Sequence, residues 1–308
     1  MNLAHLKYAV EVEKTGSITK AADNLFMGQP NLSKAIKELE AQVGIAIFRR
    51  TSRGVAPTRR GEEFLAHAKA ILAQIEQMEA IYRPNDQRAS FHIVIPRASY
   101  LSQAFARFVG TLDLKKEMDL TLKESNAQDA IARVAESEST LGIIRYGVSQ
   151  ELYHGKQLEE KALSTELLLE FAPMVVLSER HPLANKPALS EPDLKEYIEL
   201  VHGDSENTKA MADARRPHAG QREKKSISVY ERGSQLDLLA GVSGAYMWAS
   251  PLPRQTLSRY HLVQKECFGA ERQRDMLIYQ KGYRLGQMEQ AFLAKVREVQ
   301  GEIIPAGE

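Results

Sequence analysis

Residues Ser17–Glu40 read SITKAADNLFMGQPNLSKAIKELE, and this stretch decides how the rest of the chain is understood. Ser17 suits a helix N-cap, where a hydroxyl satisfies a first-turn N–H that has no partner within the helix. Ile18, Ala21, Ala22 and Leu25 follow at helical spacing and make one apolar face. Gly28 tolerates backbone conformations that other residues resist, and Pro30 suits the first turn of a new helix. In that second helix Leu32, Ala35, Ile36 and Leu39 share one face, while Gln29, Asn31, Ser33, Lys34 and Lys37 share the other. This is the layout of a helix-turn-helix, whose second helix enters the DNA major groove with its N-terminal side chains against base edges. An ordinary helical hairpin has the same period, so the period alone leaves both open.

The residue types go further. The stretch resembles the N-terminus of LysR-type transcriptional regulators, in which a small-residue helix is followed by Gln-Pro-x-Leu-Ser-x-x-Ile-x-x-Leu-Glu. Gln29, Pro30, Leu32, Ser33, Ile36, Leu39 and Glu40 stand at those positions. The match continues at consistent spacing through Gly44, Phe48, Arg50, Gly54, Pro57, Thr58 and Gly61. A pattern of this length is far more specific than a lone short motif. The resemblance implies a DNA-binding regulator rather than an enzyme. It also implies double-stranded DNA, a second copy of the chain (homodimer or homotetramer), a small-molecule inducer and RNA polymerase as partners. Two departures matter. Arg59 and Arg60 stand where the family often has an acidic residue and alanine, and Asn31 is an unusual neighbour for Pro30, so the operator half-site does not carry over.

Around the motif the chain reads as a winged helix-turn-helix domain over residues 1–58. Leu3–Lys14 is the first helix. Ile45–Phe48 is expected to be a short strand, Arg49–Gly54 a turn and Val55–Pro57 the returning strand. Between Gln29 and Gly61 lie Lys34, Lys37, Arg49, Arg50, Arg53, Arg59 and Arg60 against Glu38 and Glu40, a local surplus of +5 in a chain whose net charge is +1. Phosphate contact requires such a basic footprint. Gln29, Asn31, Ser33 and Lys34 are the candidates for base edges. Glutamine and asparagine present a donor and an acceptor together, as adenine requires, and lysine suits guanine. Lys37 is assigned to phosphate or base, and Arg50 and Arg53 to the backbone beside the wing.

Thr58 should cap a helix from Arg59 to Tyr82, with Phe64, Leu65, Ala68, Ile71, Leu72, Ile75, Met78 and Tyr82 on one stripe. A long two-faced helix outside a small head needs a partner, and the resemblance implies dimerisation here. Residues 59–88 are therefore expected to be linker and hinge, the hinge being Arg83–Arg88. From Ser90 strands and helices alternate in the manner of parallel βαβ units. The resemblance implies a two-lobed α/β effector domain over 89–308, similar to the periplasmic solute-binding fold. The first lobe is expected at about 90–164 and 265–300 and the second at about 165–264. A helix is also expected around Glu206–Arg215.

Ligands of open α/β sheets bind beyond strand C-termini, where helix N-termini favour anions. That nominates Ser99, Tyr100 and Ser102 after the first strand, Ser125 and Asn126 after the second, and His202 and Ser205 after a strand of the second lobe. Arg97 and Arg145 suit a carboxylate and Trp248 an aromatic ring. Each has a plainer role open to it: serines cap helices, Arg145 can be a surface charge and Trp248 core. A small organic anion is the expected effector.

Composition narrows the alternatives. With 308 residues, 43% hydrophobic and 26% charged, the chain is ordinary for a water-facing globular protein of two or three compact units. No apolar run nears the roughly 20 residues that cross a bilayer, so no membrane partner is expected. The N-terminus lacks the layout of a secretory signal, which points to the cytoplasm and against an extracytoplasmic solute receptor. One cysteine, Cys267, allows neither an internal disulfide nor a thiol-pair redox sensor, and is expected to be a small buried residue. The eight histidines show no ligand spacing, so neither a metal nor a resident cofactor is expected. Gly241-Val242-Ser243-Gly244-Ala245 has the wrong spacing for a nucleophile elbow. The remaining rival is a constitutive architectural DNA-binding protein whose C-terminal part only oligomerises.

Overall fold

The computed structural model describes residues 2–51, 54–82, 89–203 and 225–303. The chain divides into two units, one built on Met1–Gln87 and one on Arg88–Val134 and Ser139–Glu308.

The first unit runs α1 (Leu3–Thr15), α2 (Ile18–Asn24), α3 (Gln29–Val43), β1 (Phe48–Thr51), β2 (Gly54–Pro57) and α4 (Arg59–Tyr82). Asn2 and Ser17 cap α1 and α2 with their side chains, and Gly16 and Gly44 close α1 and α3 in the left-handed conformation. The expected apolar faces meet in one core, in which Leu6, Ala22, Leu32, Leu39, Ile47 and Leu65 are all buried. Thr58 caps α4 by accepting from Gly61 N–H at 2.9 Å.

The wing is shifted from the expected register. β1 begins at Phe48 and pairs with β2 from Phe48↔Pro57 to Thr51↔Gly54, so Arg49 and Arg50 lie on a strand rather than in a turn. Ile45–Ile47 is not strand because its backbone has other partners. Glu40 Oε1 accepts from the N–H of Ile47 at 2.7 Å and Phe48 at 3.0 Å. Thr58 Oγ donates to Ala46 O at 2.7 Å and Thr58 N–H to Ile47 O at 2.9 Å. The segment is thereby tied to α3 and α4, and Ile47 fills the core. Glu40, which ends the sequence motif, is the clamp between α3 and the wing. Gly61 has a similar origin: a Cβ there would lie 2.0 Å from Ile47 O.

The second unit contains two five-stranded sheets. The first is built from β3 (Ala89–Ile95), α5 (Ser99–Val109), β4 (Met118–Glu124), α6 (Ala127–Ala135), β5 (Leu141–Gly147), α7 (Glu151–Glu160) and β6 (Leu163–Phe171). The second follows with β7 (Met174–Ser178), β8 (Leu189–Ser190), α8 (Glu191–Leu194), β9 (Ile198–His202), β10 (Ser226–Val229), α9 (Arg232–Gly241), β11 (Ala245–Ala249), α10 (Arg254–Tyr260) and β12 (Leu262–Lys265). The chain then passes through β13 (Cys267–Phe268) to β14 (Gln273–Gln280) and α11 (Gln287–Ile303). The strand orders are β4-β3-β5-β14-β6 and β10-β9-β11-β7-β12. β3 runs parallel to β4 and β5, as βαβ units require, and β14 returns antiparallel to β5 and β6. Phe91, Phe108 and Phe292 pack ring against ring at 5.1 to 6.0 Å beneath the first sheet.

The lobe boundary falls later than expected. β6 pairs with β14 from Leu163 to Phe171, so the first lobe extends to Phe171 rather than ending at Ser164. The chain crosses between lobes after β6 and again after β13, which pairs with β8 of the second lobe, so the second boundary also falls later than the expected 264. Cys267 is buried, and burial pushes its thiol above the usual range. Among the described residues no helix is long and apolar enough to cross a membrane. The expected hinge Arg83–Arg88 and the expected helix around Glu206–Arg215 lie outside the described residues.

Candidate nucleic-acid interface and effector cleft

On α3 the division expected from the sequence is physical. Leu32, Ala35, Ile36 and Leu39 are buried, Gln29, Asn31, Lys34 and Lys37 are exposed, and Ser33 is half-buried. Pro30 sits in the first turn, so the backbone N–H groups and the positive end of the helix dipole accompany those side chains. Lys34 comes within 3.9 Å of Glu38, but both are well exposed and the pair contributes little. Arg49 and Arg50 are exposed on the wing, and Arg59 and Arg60 at the start of α4. Arg53 lies outside the described residues. The wing is seated by a close approach: Val55 N–H donates to Gly16 O at 2.8 Å, and a Cβ on Gly54 would lie 2.4 Å from that oxygen. The unit thus presents an amide-bearing, cationic helix end beside an arginine-bearing ribbon, with apolar surface turned inward.

In the second unit the nominated residues separate into three environments. Tyr100 and Arg145 are drawn into the lobe. Asp275, fully buried, accepts from Tyr100 Oη at 2.6 Å and from Arg145 Nε and Nη2 at 2.7 and 2.6 Å. Arg145 also lies 4.8 Å from the centroid of Phe171. Burial alone would lower the Arg145 guanidinium, and the Asp275 carboxylate beside it raises it instead. Tyr100 is held well above its ordinary range, first by burial and then by the same carboxylate. This triad ties α5, β5 and β14 together.

Ser125 and Asn126 cap α6. Ser125 Oγ donates to Asp129 at 2.6 Å, and Asn126 Oδ1 accepts from Asp129 N–H at 2.9 Å.

Ser99, Ser102, His202 and Trp248 belong to the cleft between the two lobes. Ser99, His202 and Trp248 line a cavity together with Arg97, Arg232 and Gln235. Its volume is about 30 Å³, room for a water or two and not for an organic effector. Ser205 lies outside the described residues. Arg232, at the start of α9, was not nominated from sequence. It donates to Ser99 Oγ at 2.7 Å and to Ser102 Oγ at 3.0 Å, and it forms an ion pair with Glu124 at the end of β4. Gln103 donates to Gln255 at 3.1 Å, a second bond between lobes.

Residues 3–62 match the model of the bacterial regulatory helix-turn-helix protein, lysR family. Over these residues the chain is similar to the LysR family. The nitrogen assimilation regulatory protein nac of Klebsiella aerogenes is 31% identical over 201 residues, covering 65% of this chain and 55% of that protein. The uncharacterized regulator YnfL of Escherichia coli is 31% identical over 199 residues, covering 63% of each. The matched part therefore spans less than two thirds of either relative. Among solved structures, a cysteine-to-aspartate variant of full-length OxyR from Pseudomonas aeruginosa aligns over 100% of this chain and 99% of its own, at TM-score 0.69 and 15% identity. That likeness concerns the fold: a helix-turn-helix followed by a two-lobed α/β domain.

Proposed function

We propose that this chain is a sequence-specific DNA-binding transcriptional regulator of the LysR type, controlled by a small organic anion held between its effector lobes. The observation that carries this is the exposed N-terminal end of α3, where Gln29, Asn31 and Lys34 stand clear of the core beside the arginines of the wing. Gln29, Asn31, Ser33 and Lys34 read base edges; Lys37, Arg50 and Arg53 hold phosphates. On α4, Leu65, Ala68 and Leu72 face the head's core, while Ile71 and Met78 are 37% and 54% exposed. These exposed apolar positions pair with α4 of a second copy. Two heads then read an inverted repeat, and the effector units pair into a tetramer. The regulator works in the cytoplasm, with RNA polymerase as its further partner. The cleft takes an anion because Arg97 and Arg232 converge on it from the two lobes. A ligand that prefers one lobe arrangement shifts its population and with it the bend imposed on DNA.

The test is a footprint of the full chain on random-sequence DNA, with and without candidate metabolites. A protected inverted repeat whose boundaries change with an organic acid supports the proposal. Protection that no metabolite alters supports the constitutive architectural protein instead. No preference for any duplex at moderate salt removes both.

A further inference from the structure

We propose that Glu124 is a built-in competitor for the effector: its carboxylate occupies the anion position on Arg232, and an effector anion binds by displacing it. The proposal rests on the cleft being the effector site and adds what fills that site beforehand. Arg232 belongs to the second lobe, and all three side chains it grips belong to the first. Nη2 donates to Ser99 Oγ at 2.7 Å, Nη1 to Ser102 Oγ at 3.0 Å, and Nη1 also meets Glu124 Oε1. Ser102 Oγ lies 3.2 Å from the same Glu124 oxygen. A guanidinium and the Ser102 hydroxyl around one carboxylate oxygen, with Ser99 holding the other guanidinium nitrogen, are the donor set a free carboxylate would need.

The Arg232 and Glu124 side chains are about one fifth exposed, so the pair is partly shielded from water and holds the lobes together. The remaining cavity of about 30 Å³ is too small for an effector while the pair stands. Two consequences follow. The apparent affinity for an anion is reduced by the fraction of molecules in which Glu124 is in place. An anion that wins this position breaks the cross-lobe ion pair, which couples binding to lobe arrangement. The matching ligand is a small monoanion whose carboxylate replaces that of Glu124.

Trp248 lines the same cavity and is the chain's single tryptophan, so its fluorescence reports on this site alone. The experiment compares quenching by iodide, an anion, with quenching by neutral acrylamide in the full-length wild type, E124Q, R232Q and the E124Q/R232Q double variant. E124Q keeps the side-chain shape and removes the charge. Its iodide quenching should rise severalfold while acrylamide quenching changes little, and the double variant should return to the wild-type iodide value. Acetate and benzoate should protect Trp248 from iodide at concentrations about tenfold lower in E124Q than in the wild type, within the usual range of coupling between sites. Iodide quenching unchanged in E124Q overturns the proposal. So does an equal rise with both quenchers, because that marks loosened packing rather than a vacated anion position. The readout needs no DNA. Loss of this inference with DNA recognition intact leaves the regulator standing, and the reverse result removes the regulator while leaving the anion position.

Discussion

The head and the effector unit handle charge in opposite ways. On α3 and the wing, Lys34, Lys37 and Arg50 are turned to solvent. In the effector unit Arg145 is clasped by Asp275, and Arg232 by Glu124. The partners proposed for the two regions explain the difference. DNA is a polyanion of constant chemistry, so cations facing it need no internal neutralisation and give up only counterions. A cleft that waits for a ligand must be stable when empty, and a partly buried charge without a partner is costly. On the proposed function, the head is built to be always ready, and the effector unit to be satisfied until something better arrives.

The largest effect expected from breaking this division belongs to the head's frame. Gly61→Ala drives a Cβ into Ile47 O, a backbone atom held between α3 and α4. The head should lose its fold and its DNA binding, while the effector unit keeps its own thermal transition; calorimetry with DNA titration reads both. Next is the buried triad. Asp275→Ala leaves Arg145 and Tyr100 without the acceptor they share. Removing one partner of a buried ion pair costs about 3–5 kcal/mol, so the effector unit should melt far earlier while the head still binds DNA at low temperature. A fall of both together would show that the two units do not unfold independently.

Smaller and more selective effects belong to the reading surface. Gln29→Ala should lose about 1–3 kcal/mol against the preferred base at one operator position and little elsewhere. Competition binding with single-base variants checks this, and equal loss on every sequence would contradict base reading. Arg50→Ala should weaken binding to all sequences alike and flatten the salt dependence by about one unit of slope.

The head was legible because its information is local. The N-caps, the turn and the apolar period of Ser17–Glu40 lie within adjacent turns, and each helix forms where those signals place it. The wing register was not, because Glu40 and Thr58 take the backbone of Ile47 out of strand pairing from outside the segment. The lobe boundary was missed for a related reason: β6 is assigned by β14, a strand more than 100 positions further along the chain. The cleft was half legible. Ser99, His202 and Trp248 follow from strand ends, whereas Arg232 opens α9 with no local sign that it faces the cleft. Its partner Glu124 is 108 positions away, and no local pattern links the two. Asp275 leaves a trace in the sequence, a carboxylate directly before the apolar run Met276-Leu277-Ile278 of β14.

The smallest effect sharpens the contrast on the effector side. Asp129 is part of the cap of α6 and also meets Lys123 at 3.0 Å and Arg133 at 2.9 Å. Burial by itself would raise its carboxyl; hydrogen bonds from Ser125, Arg133 and Lys123 outweigh this and bring it down to about 2. An unfolded aspartate titrates near pH 4. The folded state therefore favours the ionised form, and the stabilisation is complete above about pH 4 and lost as the pH falls towards 2. The side chain is 35% exposed, so solvent screens much of the effect. Asp129→Asn should lower the stability of the effector unit slightly at neutral pH and flatten its decline between pH 4 and 2. Acid titration of the two proteins followed by circular dichroism separates the cases. Identical curves would mean that this carboxylate is not held by its neighbours, and that internal satisfaction of charge stops at the cleft and the buried triad.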